Sequence, residues 1–479
     1  MKIKNILFKT WNSPTITTWF SYFAKAGNAL LVLPLILNRF NENEVAIWYL
    51  FLAIISFGTI ADFGFRSTFI RLIAFAKGGA KEIRKYNKLK DKSYRSGSVN
   101  WDLVEKLYSM MRYIYVYVSI FVLILFSTAG TYSLVGPISK TNNEFNIWIS
   151  WIIICITASI EFYGKIYKNY LEGLYKIALV KRMETLFKTG SILSSFAVMI
   201  WAPSIINLVI VKRVWTILNV IRDKYLSLQV YGGRLKQFSN IPFDKKTFYK
   251  IWSPAWRSGI SSLMSNGLSK LTGVLYAQIG STSTIASYLL AEKIITEIKN
   301  ISNAPFYSKI PLLSKLRSAD KVSRLIEVSK RGMNISYGVF IMGALIVGIL
   351  SEPIFNMIGS DTDFVDPSLW WLMALAYFIH RVGSMNMQLY ITTNHVISHI
   401  VDGISGFLFI ITSFLLLKEY GVYAFPIGMI VGYLSFHLWI SCYYSFTSLK
   451  ENILPIFVKY LFMPFLVISL LVLLTLYNS

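Results

Sequence analysis

SPAWRSGISSLMSNGLSKL spans Ser253–Leu271, and its reading decides the fold. With the apolar residues that continue it to Ile279, the stretch is long enough to cross a membrane. A helix needs about 20 residues for a hydrocarbon core roughly 30 Å thick. Yet it carries Arg257, Lys270 and six serines. Ser258, Ser262, Ser265, Ser269 and Thr272 recur at three- and four-residue steps, so on a helix they form one stripe. Such a stripe faces a protein neighbour or a water-filled cavity, because a charge at the centre of a membrane helix costs about 2.5–3.5 kcal/mol on insertion scales.

The rest of the chain repeats this pattern. Its 479 residues are 54% hydrophobic and 16% aromatic, a balance that a soluble domain of this size does not carry. Apolar runs predict thirteen spans, near 15–37, 45–65, 113–134, 146–164, 186–202, 204–221, 252–279, 285–308, 333–350, 367–392, 396–417, 425–446 and 456–477. The net charge of +24 follows from where the bases lie. With the N-terminus cytoplasmic, most of the 48 Lys and Arg fall in cytoplasmic segments or at their borders, while Arg39, Lys140 and Lys418 fall outside. The loop from Arg66 to Arg112 contains KGGAKEIRKYNKLKDKSYR, which reads as an amphipathic or solvated run near anionic headgroups. Residues 1–14 are basic, but the apolar run that follows is too long for a signal peptide and holds Lys25, so it is kept as the first span.

Several function classes are excluded or weakened. No G-x-x-x-x-G-K-[ST] motif occurs, so no nucleotide powers the chain through a P-loop. No nucleic-acid motif accompanies the positive charge. Cys155 and Cys442 both fall within spans, which leaves neither a disulfide framework nor a zinc motif. His395, His399 and Asp402 share a helical face, but as a polar helix start more than as a metal site; no metal or cofactor is expected. His380 and His437 read as isolated groups bonded within the bundle. Gly428 and Gly432 form a G-x-x-x-G that suggests close helix packing. Trp48, Trp148, Trp151, Trp370 and Trp371 lie near outer span ends, which predicts an interfacial aromatic belt. External loops are short, which argues against a membrane polymerase or glycosyltransferase.

The chain also resembles itself. Ser13-Pro14 and Ser253-Pro254 open the first and seventh spans, and at the same offset Ser21 falls on Ser261 and Gly27 on Gly267. One residue of slippage lays Tyr49-Leu50 over Tyr288-Leu289. This predicts two six-helix lobes in parallel orientation: an N-terminal lobe over 1–221, a basic connector over 222–250, a C-terminal lobe over 251–446 and an added helix over 447–479. Polar stripes recur in the first span (Thr18, Ser21, Lys25, Asn28), the second (Ser56, Thr59, Asp62, Arg66) and the eighth (Tyr288, Glu292, Thr296, Lys299, Asn303). Within the spans the bases Lys25, Lys212, Arg213, Arg257, Lys270, Lys293, Lys299 and Arg381 outnumber the acids Asp62, Glu161, Glu292, Glu297 and Asp402. Asp62 with Arg66 and Lys293 with Glu297 have the i,i+4 spacing of internal pairs. Lys25, Arg257, Lys270, Lys299 and Arg381 lack a local partner, so they predict an anion-facing surface.

NRFNENEVAIWYLFLAIISFGTIADFGFRSTFIRLIA in the first half and IGSTSTIASYLLAEKI with APFYSKIPLLSKL in the second resemble the polysaccharide or O-antigen (Wzx-type) flippases of the multidrug/oligosaccharidyl-lipid/polysaccharide (MOP) exporter superfamily. The likeness lies in a short outer turn, an aromatic-rich helix, a D-x-G-x end to the second span and a proline before the basic loop after the eighth. It implies an all-helical protein of twelve or thirteen spans, with two lobes around a central cationic cavity. It implies transport, without bond-breaking chemistry, of undecaprenyl-pyrophosphate-linked oligosaccharide across the bacterial inner membrane. The polymerase and chain-length regulator of the same pathway are the implied partners. Lys25, Arg66, Arg257, Lys270 and Lys299 match the cavity-lining helices, Arg381 joins them as a sixth substrate-facing base, and Asp62, Glu161 and Glu292 are candidates for ion coupling. A drug/cation antiporter of the same superfamily is the alternative; it should present acids to its cavity.

Overall fold

The computed structural model describes residues 13–83, 98–139, 141, 143–276, 282–358 and 364–449. Among them every regular element is helical. The expected span 456–477 and most of the basic run in the first loop lie outside the described residues. Each of the other twelve expected spans falls on a helix, and four stretches, Trp101–Ile138, Glu144–Gly173, Val322–Ser351 and Ser398–Leu449, are long and apolar enough to cross a membrane by themselves. The described residues up to Ala255 form one compact unit and those from Trp256 onward a second.

The first unit contains α1 (Pro14–Arg39), α2 (Glu42–Gly58), α3 (Phe65–Lys77), α4 (Trp101–Leu125), α5 (Glu144–Gly173), α6 (Ile177–Trp201) and α7 (Ile205–Gly233). Ser13 caps α1 by accepting the Ile16 N–H at 3.4 Å, with Pro14 in the first turn. Asn100 caps α4 through the Leu103 N–H at 3.1 Å. The second expected span ends early. After Gly58 the chain tightens into the 3₁₀ turn Thr59–Asp62, then turns left-handed at Phe63 (φ 39°) and Gly64 (φ 77°) before α3 starts. Gly64 tolerates that conformation because it has no Cβ, and Asp62 caps the new helix by accepting the Arg66 N–H at 3.3 Å. Helix α5 packs against α3, α4 and α7, while α1 packs on α6. Residues 238–244 are docked on α4: Glu105 accepts the Ser239 hydroxyl at 2.7 Å, Arg112 donates to Asn240 at 3.1 Å, and Lys106 pairs with Asp244 at 2.7 Å.

Helix α8 (Lys245–Tyr276) begins in the first unit and continues in the second. There follow α9 (Thr282–Tyr307), α10 (Ile310–Ser318), α11 (Val322–Ile358), α12 (Pro367–Ile391), α13 (Ser398–Tyr420), α14 (Ala424–Gly432) and α15 (Leu438–Leu449). The last two are joined by the π-helical turn Tyr433–His437. The second core gathers Tyr337, Phe340, Trp370, Trp371 and Phe378 from α11 and α12.

Four of the five tryptophans expected in an aromatic belt are instead packed inside the protein. Trp48, Trp151, Trp370 and Trp371 are buried. Trp151 stacks on Phe51 and Phe126 and donates to Thr131 at 2.9 Å, and Trp370 donates to the Ala344 carbonyl at 3.1 Å. An indole whose N–H finds an acceptor inside the protein loses its reason to sit at the headgroups.

Candidate functional site

In the first unit the polar stripes of the first two expected spans meet charged residues of α5 and α6. Ser21 of α1 receives a bond from the Lys188 ammonium of α6 at 2.8 Å and donates its own hydroxyl to Glu184 at 3.4 Å. Glu184 is buried and also meets Lys181 at 2.8 Å and Lys168 of α5. One turn along α5, buried Glu172 takes both of its bonds from the Arg66 guanidinium, at 2.8 and 3.1 Å. The expected internal Asp62–Arg66 pair therefore takes another form: Asp62 bonds the Arg66 backbone, and the Arg66 side chain crosses to α5. Asp62 also accepts the Tyr115 hydroxyl at 2.6 Å, and Asn169 donates to the same tyrosine oxygen at 2.9 Å. Each carboxylate in this network is bonded, as burial demands.

Lys168, Lys181, Lys188, Glu172 and Glu184 escaped the sequence reading. All but Lys188, which lies at the start of the expected span 186–202, sit beyond the apolar windows, where α5 runs on to Gly173 and α6 starts at Ile177. The available signal was their spacing: Lys181, Glu184 and Lys188 follow at three and four residues, as do Lys165, Lys168 and Glu172, which puts each set on one face. Glu161, a candidate for ion coupling, lies half exposed 3.9 Å from Arg213. Lys212, next to Arg213 in the chain, points to a different surface, 5.5 Å from the Trp48 ring.

The second unit holds its bases differently. The Arg257 guanidinium of α8 lies 5.5 Å from the Trp256 ring, and its Nε is buried with no hydrogen-bond partner among the described residues. The Lys299 ammonium of α9 lies 5.1 Å from the Tyr377 ring of α12. Among the described residues, neither has a carboxylate within ion-pair distance. Arg381 is buried on α12 and donates to Asn303, one turn beyond Lys299. Lys299 thus feels the charges of both Arg381 and Glu292. Lys25 and Lys270 belong to α1 and α8, but their side chains lie outside the described residues.

The three residues of the suspected metal face have separate partners. His395 bonds Tyr390 at 2.5 Å, His399 packs edge-on against Trp256 at 5.1 Å, and Asp402 meets His437 at 3.2 Å. No metal-ligating cluster occurs among the described residues. His380 and His437 are not isolated: their ring centroids are 5.3 Å apart. Helix pairing between distant parts of the chain brought them together, and no local spacing reports that.

These features define a helical membrane protein in which the half-buried bases Arg257 and Lys299 have no carboxylate at ion-pair distance among the described residues. No family model and no curated protein sequence matches the chain. Solved structures do. A mutant form of the Vibrio cholerae MATE transporter VcmN superposes with a TM-score of 0.67 at 13% identity, covering 95% of this chain and 99% of that one. The MATE multidrug transporter DinF-BH, solved as a complex, gives 0.68 at 13%, covering 93% and 97%. A MOP superfamily transporter from Pyrococcus furiosus, for which reverse polarity of the binding pocket suggests a different function, gives 0.63 at 12%, covering 93% and 98%. The fold is that of the MATE transporters of the MOP superfamily.

Proposed function

We propose that this chain is a membrane transporter that moves an anionic, pyrophosphate-linked oligosaccharide lipid of the undecaprenyl class from the cytoplasmic to the outer leaflet of a bacterial inner membrane. The observation that carries this reading is the state of Arg257 and Lys299. Both bases lie against aromatic faces, without a carboxylate at ion-pair distance among the described residues. A cation in that setting is short of an anion, and the guanidinium fork suits a phosphate. Arg381, beside Lys299, adds a third positive group. Lys25, Lys270 and the more exposed Arg66 are the further bases proposed to meet substrate. Aromatic rings next to the bases offer faces on which sugars can stack. The polyprenyl tail stays in lipid, and alternating access carries the head group across. A polymerase and a chain-length regulator acting on the exported unit are its proposed partners.

A strain carrying Arg257→Ala or Lys299→Ala in place of the native chain tests this. The lipid-linked oligosaccharide should accumulate on the cytoplasmic leaflet, with the protein at normal abundance. Full export by both variants overturns the reading. The fold itself favours one other reading, export of cationic drugs, since the matched structures are MATE transporters. Efflux of a cationic dye by the native chain, enhanced when Arg257 is neutralised, would favour it.

A further inference from the structure

Trp256 of α8 borders two basic groups. Its ring meets the His399 imidazole of α13 edge-on, with the centroids 5.1 Å apart, and the Arg257 guanidinium lies 5.5 Å from the same ring. The Arg257 charge reaches His399. Both groups are left incompletely bonded: Arg257 Nε and His399 Nδ1 are buried, and neither has a hydrogen-bond partner among the described residues. Asp402, three residues beyond His399, is also within electrostatic reach of that imidazole. Its oxygens are already engaged, one by His437 at 3.2 Å and the other by the Ser261 hydroxyl.

A buried polar nitrogen without a partner is costly. Two of them, on different helices and bordering one ring, point to a ligand that satisfies both. What each nitrogen offers fixes the chemistry of that ligand. Arg257 Nε is always a donor, and the imidazole donates from Nδ1 in its cationic form and in one of its neutral tautomers. Both therefore want an acceptor, and beside a guanidinium the best acceptor is an anion. Trp256, Arg257 and His399 are each only half-buried, which leaves them open to an incoming group. The guanidinium fork can fill the edge of one phosphate with two parallel bonds, so the donor on His399 is left for a second phosphate joined to it.

We propose that His399 is a specificity-determining residue of the anion site, where Arg257 holds one phosphate of a pyrophosphate group and His399 donates from Nδ1 to the other. His399 thereby selects a diphosphate over a monophosphate. The two residues open the expected spans 252–279 and 396–417, whose starts the charge asymmetry predicts to be cytoplasmic. That is the face from which the proposed substrate enters. Only the identity of the pyrophosphate as a lipid head group rests on the transporter reading; the binding of pyrophosphate does not.

Inorganic pyrophosphate and inorganic phosphate, added to the full-length protein in detergent, are the probes. The native chain should bind pyrophosphate about tenfold or more tightly than phosphate. His399→Phe keeps a ring against Trp256 but removes the donor, so the preference should shrink to about threefold or less while phosphate affinity barely moves. His399→Gln, which keeps a donor, should recover part of it, and Arg257→Ala should weaken both anions. The chain has four histidines, so isotope-labelled histidine shows which ring is touched. Pyrophosphate should move the imidazole signal that is missing from His399→Phe, and the other three signals report that the variant is folded. An unchanged preference in His399→Phe overturns the inference. So does a native His399 signal that pyrophosphate leaves in place, or pyrophosphate that moves all four signals alike, as non-specific attraction to a chain of charge +24 would. Export in cells separates the two readings. A native chain that binds with the expected preference, but whose removal causes no lipid-linked oligosaccharide to accumulate, overturns the transport reading and leaves the pyrophosphate site standing. Export blocked by Arg257→Ala, with His399→Phe exporting normally and keeping the preference, overturns the role of His399 and leaves the transport reading standing.

Discussion

Arg257 and Lys299 differ from Arg66 in what they touch, and the difference predicts different phenotypes. The first two lie against rings, so removing either leaves no buried carboxylate behind. A charged hydrogen bond contributes about 1.5–3 kcal/mol, so each alanine variant should weaken substrate binding roughly 10- to 100-fold while the melting temperature in detergent barely moves. Arg257→Lys should retain more function than Arg257→Ala, although it loses the two-pronged fit to phosphate. Arg66→Ala, in contrast, strands the buried Glu172 carboxylate. Because Arg66 is 38% exposed, solvent screens the pair, and a loss of about 1–3 kcal/mol is expected, read as a lower melting temperature that Glu172→Gln partly restores in the double variant. Outside the spans, the hydrogen bonds from Lys106 and Thr247 hold the Asp244 carboxyl well below the usual carboxylate range. A depressed pKa contributes stability at pH values above the unfolded value of about 3.9, and that stability is lost as the pH falls below it. The docking of residues 238–244 on α4 should therefore be indifferent to pH from 5 to 8 and loosen only in stronger acid. Proteolysis of this segment across that range measures it.

At the scale of helices, the glycine pair on α14 is where sequence and structure agree most closely. A methyl on Gly432 would stand 2.4 Å from the Ser405 carbonyl of α13, and one on Gly428 would stand 2.9 Å from the Phe409 carbonyl. Backbone does not yield as a flexible side chain does. Gly432→Ala should therefore cost about 1–3 kcal/mol by overpacking, seen as a lower melting temperature, and a normal melting curve would mean that the two helices can separate freely. Apolar runs made the helices legible, because about 20 residues of hydrocarbon-compatible chain leave few alternatives. The broken end of the second span was half legible: Gly64 marked where a helix would be weakest, but Asp62 capping a new helix was hidden behind its i,i+4 spacing to Arg66. Arg257, Lys299 and Arg381 could be singled out because a base inside an apolar run has no ordinary explanation. Glu172 and Glu184 could not, since past the apolar windows a buried carboxylate has the same sequence signature as a solvated one. The buried tryptophans failed for a related reason. Position along a span reports depth in a bilayer, whereas the face of the helix that meets a neighbour depends on partners far away in the chain.

Across the whole molecule, charge predicts both the threading and, on the proposed reading, the driving force. The asymmetry of Lys and Arg predicts that the turn before α5 lies outside and the segment after α7 inside. Asn143 and Lys236 are both exposed, and the native cysteines are buried. Asn143→Cys should therefore react with an impermeant reagent applied to intact cells, and Lys236→Cys should react only after lysis; the reverse pattern would invert the threading. Energetics follows from that orientation. A pyrophosphate lipid carries about two negative charges, and moving them out of a cell that is negative inside is favourable by roughly 2.3 kcal/mol per charge per 100 mV, about 4.6 in all. On the proposed reading, Arg257, Lys299 and Arg381 lower the barrier by keeping the loaded site near neutrality while they stay with the protein, so the net charge moved is that of the lipid. A potential alone, negative on the cytoplasmic face, should then speed outward flipping in proteoliposomes with no pH or sodium gradient present. Flipping that ignores the potential and answers only to a sodium step would defeat this account and shift attention to Asp62, Glu161 and Glu292 as the carboxylates that carry the cation.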